Sequence, residues 1–292
     1  MDASGHPAWE RSEALAAPAL REQRALLHHI CAVLARDTRI AAAFATGSLA
    51  DGRGDAQSDV DILIIVYDDH ITDITENWEA LLHHIHPTIL RRRIGPPHEP
   101  ILVAITPDWQ RFDVVVHAVS SVGAHTYHAS LTLFDRDGVA ARLPPAPPVS
   151  VLSPERVLAL VEEFLRVLGL LPIVIGRGEF LVGMDGAMLL RRMLIDLMLQ
   201  EHGPVIRGGA KRLNPFLTLE QRLALEGLPP LLPTRTSVMG AHLACARLFI
   251  PIARRVLCAT ALPYPDEFEA ATLAHLERCL GVRMDVYRSE AN

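Results

Sequence analysis

At 292 residues, half of them hydrophobic, the chain is long enough for one large domain or two ordinary ones, each with its own core. Its 28 Lys+Arg against 34 Asp+Glu give a formal charge of −6, without the cationic stripe that nucleic-acid binding needs to displace counterions. No uninterrupted apolar run is long enough to span a bilayer, and Asp2, Glu10 and Arg11 break the basic-then-apolar design of an export signal. A cytoplasmic enzyme with neither a membrane nor a nucleic-acid partner is expected. Cys31, Cys245, Cys258 and Cys279 show neither CxxC spacing nor disulfide density and read as reduced core residues.

In chain order, a first helix carries His28 and His29, followed by an apolar run from Ile40 to Phe44 that reads as a strand and ends at Gly47-Ser48. A glycine there lets the backbone approach a phosphate closely. If a short helix starts at this point, its first N–H groups and the Ser48 hydroxyl can hold that phosphate. Asp59-Val60-Asp61 follows, leading into Ile62, Leu63, Ile64, Ile65 and Val66. Residues two apart on a strand project from one face, so Asp59 and Asp61 point into one small volume while Val60 and Ile62 pack behind them. Two such carboxylates repel, and one is driven towards protonation unless a hard divalent cation neutralises them. Either half of this pattern is common alone: Asp-x-Asp also occurs in calcium loops, in sugar-nucleotide glycosyltransferases and on solvated surfaces. Their combination between two apolar runs points to nucleotidyl transfer. The triplet Arg53-Gly54-Asp55 matches a cell-adhesion tripeptide, and without an export signal it is accidental.

Trp78 opens an amphipathic helix with His83, His84 and His86. Neither this set nor His28-His29 has the i, i+4 geometry of a zinc pair, so structural roles are expected. Arg91-Arg92-Arg93 reads as the solvated start of a strand. Ile101 to Ile105 and Arg111 to Val116 read as two strands joined by a proline-containing turn. Asp113 is the one acid inside the second apolar run. It either faces a metal or a partner, since an isolated buried charge is costly, or lies on an edge strand facing water.

The proline cluster from Leu143 to Pro148 resists both helix and central strand, and divides the chain into 1–148 and 149–292. The first part has 12 Lys+Arg against 19 Asp+Glu, a net of −7, and the second 16 against 15, a net of +1. The acidic part holds the proposed chemistry, which suits a cationic small molecule. Beyond the linker the periodicity turns helical. Ser153-Pro154-Glu155 starts a helix running to Leu170, and Met184 to Glu201 reads as a second, closed by Gly203-Pro204. Thr218 to Gln221 has the form of a capping box, Thr236 to Leu262 reads as a long helix kinked at Pro251, and Pro265 to Leu280 as the last. Lys211 is the only lysine in the chain, beside Gly208-Gly209. Chance survival explains it equally well on composition, but a compact ammonium serves phosphate as a point charge where arginine's planar fork fits differently.

The order Gly47-Ser48, Asp59-x-Asp61, distant strand Asp113 resembles the nucleotidyltransferase superfamily of DNA polymerase β, and within it the antibiotic-modifying branch. The stretch from Arg39 to about Trp78 is similar to the streptomycin-type aminoglycoside 6-adenylyltransferases and, more loosely, to the lincosamide nucleotidyltransferases. Leu133 to Gly138 resembles an aspartate-rich hairpin of that family. Ile175 to Glu179, Arg191 to Ile195, Gly208 to Arg212 and Leu262 to Pro265 have look-alikes in the same order.

The resemblance implies an α+β fold, with an N-terminal mixed sheet flanked by helices and a C-terminal all-α bundle forming one wall of a cleft. It implies Mg²⁺, two ions, on Asp59, Asp61 and Asp113, with ATP as co-substrate, Gly47, Ser48 and Lys211 on its phosphates, and Arg177 in the same binding wall. Asp113 is the base nearest the acceptor in that fold. An aminoglycoside acceptor wants acids such as Glu179, Asp185 or Asp196 facing it, whereas a lincosamide wants a more apolar wall. A monomer or homodimer is expected. The competing readings are a toxin-type enzyme acting on tRNA, a glycosyltransferase, and a nucleotide-binding regulator without activity.

Overall fold

Burial in the first part of the chain follows the apolar runs. Ile40–Ala45 (β1) is buried at every position, and Val60–Val66 (β2) at every position except Asp61. The computed structural model describes residue 9 and residues 12–127, 130–146, 153–201, 212–260 and 262–283. Two compact units divide it, Met1–Pro148 and Val149–Asn292.

In the first unit β1 and β2 join Leu90–Ile94 (β3), Ile101–Ile105 (β4), Arg111–Ala118 (β5) and Leu131–Asp135 (β6) in one six-stranded sheet of order β3-β4-β5-β2-β1-β6. Only β2 and β5 run parallel; the other neighbours are antiparallel. Strand alternation sends Ile62, Ile64, Phe112 and Val114 to one face. There they pack with Leu27, Ile30 and Leu34 of Arg21–Leu34 (α1) and with Leu82 and Ile85 of Trp78–Ile85, which follows Ile71–Glu76. Full burial of one such side chain contributes about 1.5–3 kcal/mol. The opposite face carries Phe44, Leu63 and Ile65 under a smaller cluster with Val122 and Val139, and it is this face that also bears Asp61 and Asp113.

Arg91, Arg92 and Arg93 lie within β3, an edge strand exposed at all its positions, where charge discourages further pairing. Between β4 and β5, Thr106 and Gln110 close the turn through backbone and hydroxyl hydrogen bonds, leaving Trp109 exposed at a φ of 64°. In the hairpin that ends β6, Asp135 accepts the N–H groups of Val139 and Ala140, both at 2.9 Å, so its carboxylate caps a turn.

The second unit is helical: Pro154–Gly169, Leu171–Arg177, Phe180–Glu201, Leu219–Glu226, Arg235–Cys258 and Asp266–Leu280. Phe164 stacks on Phe249 at its centre, with centroids 3.6 Å apart. Ser153 caps the first of these helices, and Thr218 with Gln221 makes a complete capping box. Three boundaries differ from the sequence reading. Gly178 in the left-handed region ends Leu171–Arg177, and the next helix starts at Phe180, four residues before Met184. The helix read as Thr236 to Leu262 starts at Arg235 after the Thr234 cap. It stops at Cys258, where the Thr260 hydroxyl takes the Leu257 carbonyl at 2.7 Å ahead of Pro263. It runs through Pro251 as one helix.

That helix is long and apolar enough to cross a membrane by length and composition, the one such helix among the described residues. Its Val238, Cys245, Phe249 and Ile252 are buried in the core of this unit. Cys258 and Cys279 are exposed, which corrects their reading as core residues; they fall at the outer ends of amphipathic helices, while Cys31 and Cys245 are buried.

Candidate active site

Register places the acids. In the parallel pairing of β2 with β5, Asp61 stands directly opposite Asp113. Asp59 precedes β2 by one residue, and one carboxylate oxygen from each of the three lies within 4.8 Å of the others. Val60, Ile62 and Phe112 behind them are essentially inaccessible, while the acids themselves are half-buried. Because β5 lies between β4 and β2, the edge-strand alternative for Asp113 does not hold.

Gly47 opens a single helical turn, Gly47–Ala50 (α2), with no side-chain cap on Thr46. Its φ is +61°, and a Cβ built on it would lie 2.1 Å from Asp61 Oδ2. Any side chain here would displace the carboxylate, so the glycine is dictated twice, by backbone conformation and by close approach. The Thr46 N–H donates to the Asp61 carbonyl at 2.8 Å, locking the turn to β2. Ser48 Oγ donates to Ser58 Oγ at 3.1 Å.

The loop from Asp51 to Asp59 is held from several sides. Gln23 Nε2 donates to the carbonyls of Ala56 and Ser58, Asp55 accepts the Gln57 N–H at 2.8 Å, and Arg111 reaches the Gln57 carbonyl. Arg53 pairs with Asp51 within the loop, and Arg53 and Asp55 are both exposed. Thr46, Ser58 and Gln23 escaped the sequence reading. The one signal for Ser58 was an Asx-type turn at Asp55, and Gln23 lies 35 residues away from its Ser58 partner.

Three carboxylates this close raise each other's energy unless cations compensate, and a donor set made only of oxygens fits a hard divalent ion such as Mg²⁺. Of the other residues singled out, Arg177 ends Leu171–Arg177, Glu179 lies just before the next helix and Asp185 within it, all three exposed in the second unit. Asp196 is partly buried on that same helix. Lys211 and Gly208-Gly209 lie outside the described residues.

Residues 30–94 match the family model described as a nucleotidyltransferase domain, a span that includes Gly47-Ser48 and Asp59-x-Asp61 and stops short of Asp113. Residues 30–94 thus carry the sequence of a nucleotidyltransferase domain, and the mixed sheet and the three acids are the part of the fold built on it. Among solved structures, an aminoglycoside 6-adenyltransferase from Bacillus subtilis aligns over 91% of this chain and 97% of its own, at 16% identity and a TM-score of 0.43. A nucleotidyltransferase-like protein from Exiguobacterium sibiricum aligns over 91% of each chain at 14% identity and a TM-score of 0.29. The E. coli MS115-1 CdnC structure with ATP aligns over 90% of this chain and 91% of its own, at 13% identity and 0.25. At these scores the likenesses say nothing about substrate. Comparison with curated protein sequences gave no match.

Proposed function

We propose that the protein transfers AMP from ATP to a hydroxyl of a small cationic acceptor, an aminoglycoside of the streptomycin type, with release of pyrophosphate. The observation that carries this reading is the convergence of Asp59, Asp61 and Asp113 beside the exposed backbone of Gly47. Asp59, Asp61 and Asp113 would hold Mg²⁺, which when bound lowers the pKa of the acceptor hydroxyl and neutralises charge building on the α-phosphate. The backbone at Gly47 and the Ser48 hydroxyl bind phosphate oxygens, since no Cβ stands between a ligand and the turn. As the acceptor oxygen bonds to the α-phosphorus, Asp113 takes its proton and the bond to pyrophosphate breaks. The motif resemblance is the support for giving Lys211 and Arg177 a role toward the triphosphate, and Glu179 and Asp185 one toward ammonium groups of the acceptor.

The acceptor class is supported by the motif resemblance and by the net charge of −7 on residues 1–148. A second reading, a less polar acceptor such as a lincosamide, is favoured by the exposed Leu181, Val182 and Met188 around Asp185. A pyrophosphate-release assay with ATP or GTP against streptomycin, spectinomycin, kanamycin and lincomycin tests both. Release that requires ATP and an aminoglycoside is expected. Release with lincomycin alone selects the second reading, and release with none of the four removes antibiotic acceptors from the proposal.

A further inference from the structure

Four residues beyond Asp113 on β5, a second set of donor atoms converges. His117 shares Asp113's side of the strand because 113, 115 and 117 alternate with buried Val114 and Val116. The antiparallel register that pairs Ile101 with Val115, carried two residues further, sets Glu99 against His117; the Val116 N–H donates to the Pro100 carbonyl at 3.1 Å. After β5 the chain turns through Val119–Ala124 and brings His125 back. Its ring stacks on that of His117 with centroids 3.9 Å apart, and its Nε2 lies 3.0 Å from Glu99 Oε1. One ligand atom from each of Glu99, His117 and His125 lies within 4.8 Å of the other two. Behind them the Tyr127 hydroxyl is 2.7 Å from His117 Nδ1.

We propose that Glu99, His117 and His125 bind one divalent transition ion of the zinc class, with Tyr127 as the positioning residue for His117. Two imidazoles and a carboxylate form a donor set that suits such ions, where the all-oxygen set of the three aspartates suits Mg²⁺. Ligands about 2.0–2.1 Å from a tetrahedral ion stand roughly 3.3 Å from one another, so the Glu99–His125 distance already fits, while the stacked His117 and His125 rings must tilt apart for their in-plane lone pairs to meet one ion. Binding replaces the proton shared between His125 Nε2 and Glu99 with the metal. His117 is the buried ligand, and burial, reinforced by neighbouring His125, pushes its pKa down to about 4, which keeps it in the neutral form that ligates. Its Nδ1 engages Tyr127, the outer partner that commonly fixes the orientation of a ligating histidine.

This ion is not a second catalytic one. Four residues of strand separate His117 from Asp113 by about 13 Å, whereas paired catalytic ions lie about 3.5–4 Å apart. Its effect is to fasten the segment from Val119 to Tyr127 onto the rim of β4 and β5. The inference stands whether or not the chain transfers AMP.

The test uses the full chain, untagged and stripped with chelator, carrying Asp59→Asn and Asp61→Asn to silence the aspartate cluster. It is titrated with Zn²⁺ in competition with a chromophoric chelator, and with Co²⁺ by visible absorption, with circular dichroism as the folding control. One ion per chain is expected, with a Co²⁺ spectrum free of thiolate charge transfer. His125→Ala or Glu99→Gln should abolish it, and Tyr127→Phe should weaken it by about 10–100-fold. Absence of a tight ion, unchanged stoichiometry in folded His125→Ala, or a thiolate band tracing the ion to a cysteine would each overturn the proposal.

Discussion

Gly47 shows how much a single atom decides. A Cβ there would fall 2.1 Å from Asp61 Oδ2, so Gly47→Ala must either move the carboxylate or break the turn. The backbone conformation adds a penalty of about 1–2 kcal/mol for any L residue. Urea unfolding of Gly47→Ala should show a loss of that order, while nucleotidyl transfer should drop far more than stability. Equal, small effects on both would mean the turn is a spacer and not part of the site. A second residue-scale expectation concerns acid. Asp37 is desolvated, which alone would raise its pKa, yet hydrogen bonds from the Arg39 side chain and N–H hold the carboxyl below its ordinary 3.8. A depressed carboxylate adds stability above its unfolded value and loses it as pH falls through the folded one. Arg39→Met should therefore lower the urea midpoint at neutral pH and flatten the loss of stability below pH 3.8; parallel curves for the two proteins would contradict this.

At the scale of elements, the strands were legible wherever burial imposed a pattern. Val60 to Val66 alternates between two buried clusters and reads as a strand at once, as do Ile101 to Ile105 and Arg111 to Val116. The pairing of Asp61 with Asp113 was legible in kind but not in register, because parallel pairing spans 52 residues and no local signal encodes it. Helix ends were less legible. The sequence reading ends one helix at Leu170 and starts the next at Met184, yet the residues between them form Leu171–Arg177 and, past Gly178, a helix that tertiary packing extends back to Phe180. That packing rests on Gly183, where a Cβ would come 2.6 Å from Val238 Cγ1 and 2.9 Å from Val174 Cγ1. Overpacking of this kind costs about 1–3 kcal/mol. Gly183→Val should lower the unfolding midpoint accordingly, and a midpoint equal to that of the unmodified chain would show that the helices part without cost. Histidine spacing speaks only where both residues share one element: the pairs on helices are readable as such, while His117 and His125, brought together across a turn, have no spacing signature.

For the whole molecule, the two units differ in what the sequence could say of them. The first confines its chemistry to a short motif on a sheet, and so the acids were readable. The second places Arg177, Glu179 and Asp185 on exposed helical surface, where no periodic pattern marks a binding role. If those acids meet a cationic acceptor, Glu179→Gln with Asp185→Asn should raise the KM for aminoglycoside several-fold, reduce its dependence on ionic strength and leave kcat nearly unchanged. A fall in kcat with KM intact would place them elsewhere in the reaction. The most direct test lies in the acids proposed to hold metal. With α-labelled ATP and an accepting aminoglycoside, transfer by Asp59→Asn or Asp61→Asn should fall by about two orders of magnitude or more while circular dichroism is unaltered. Transfer near the unmodified rate in either folded variant would show that the three aspartates are not the catalytic centre.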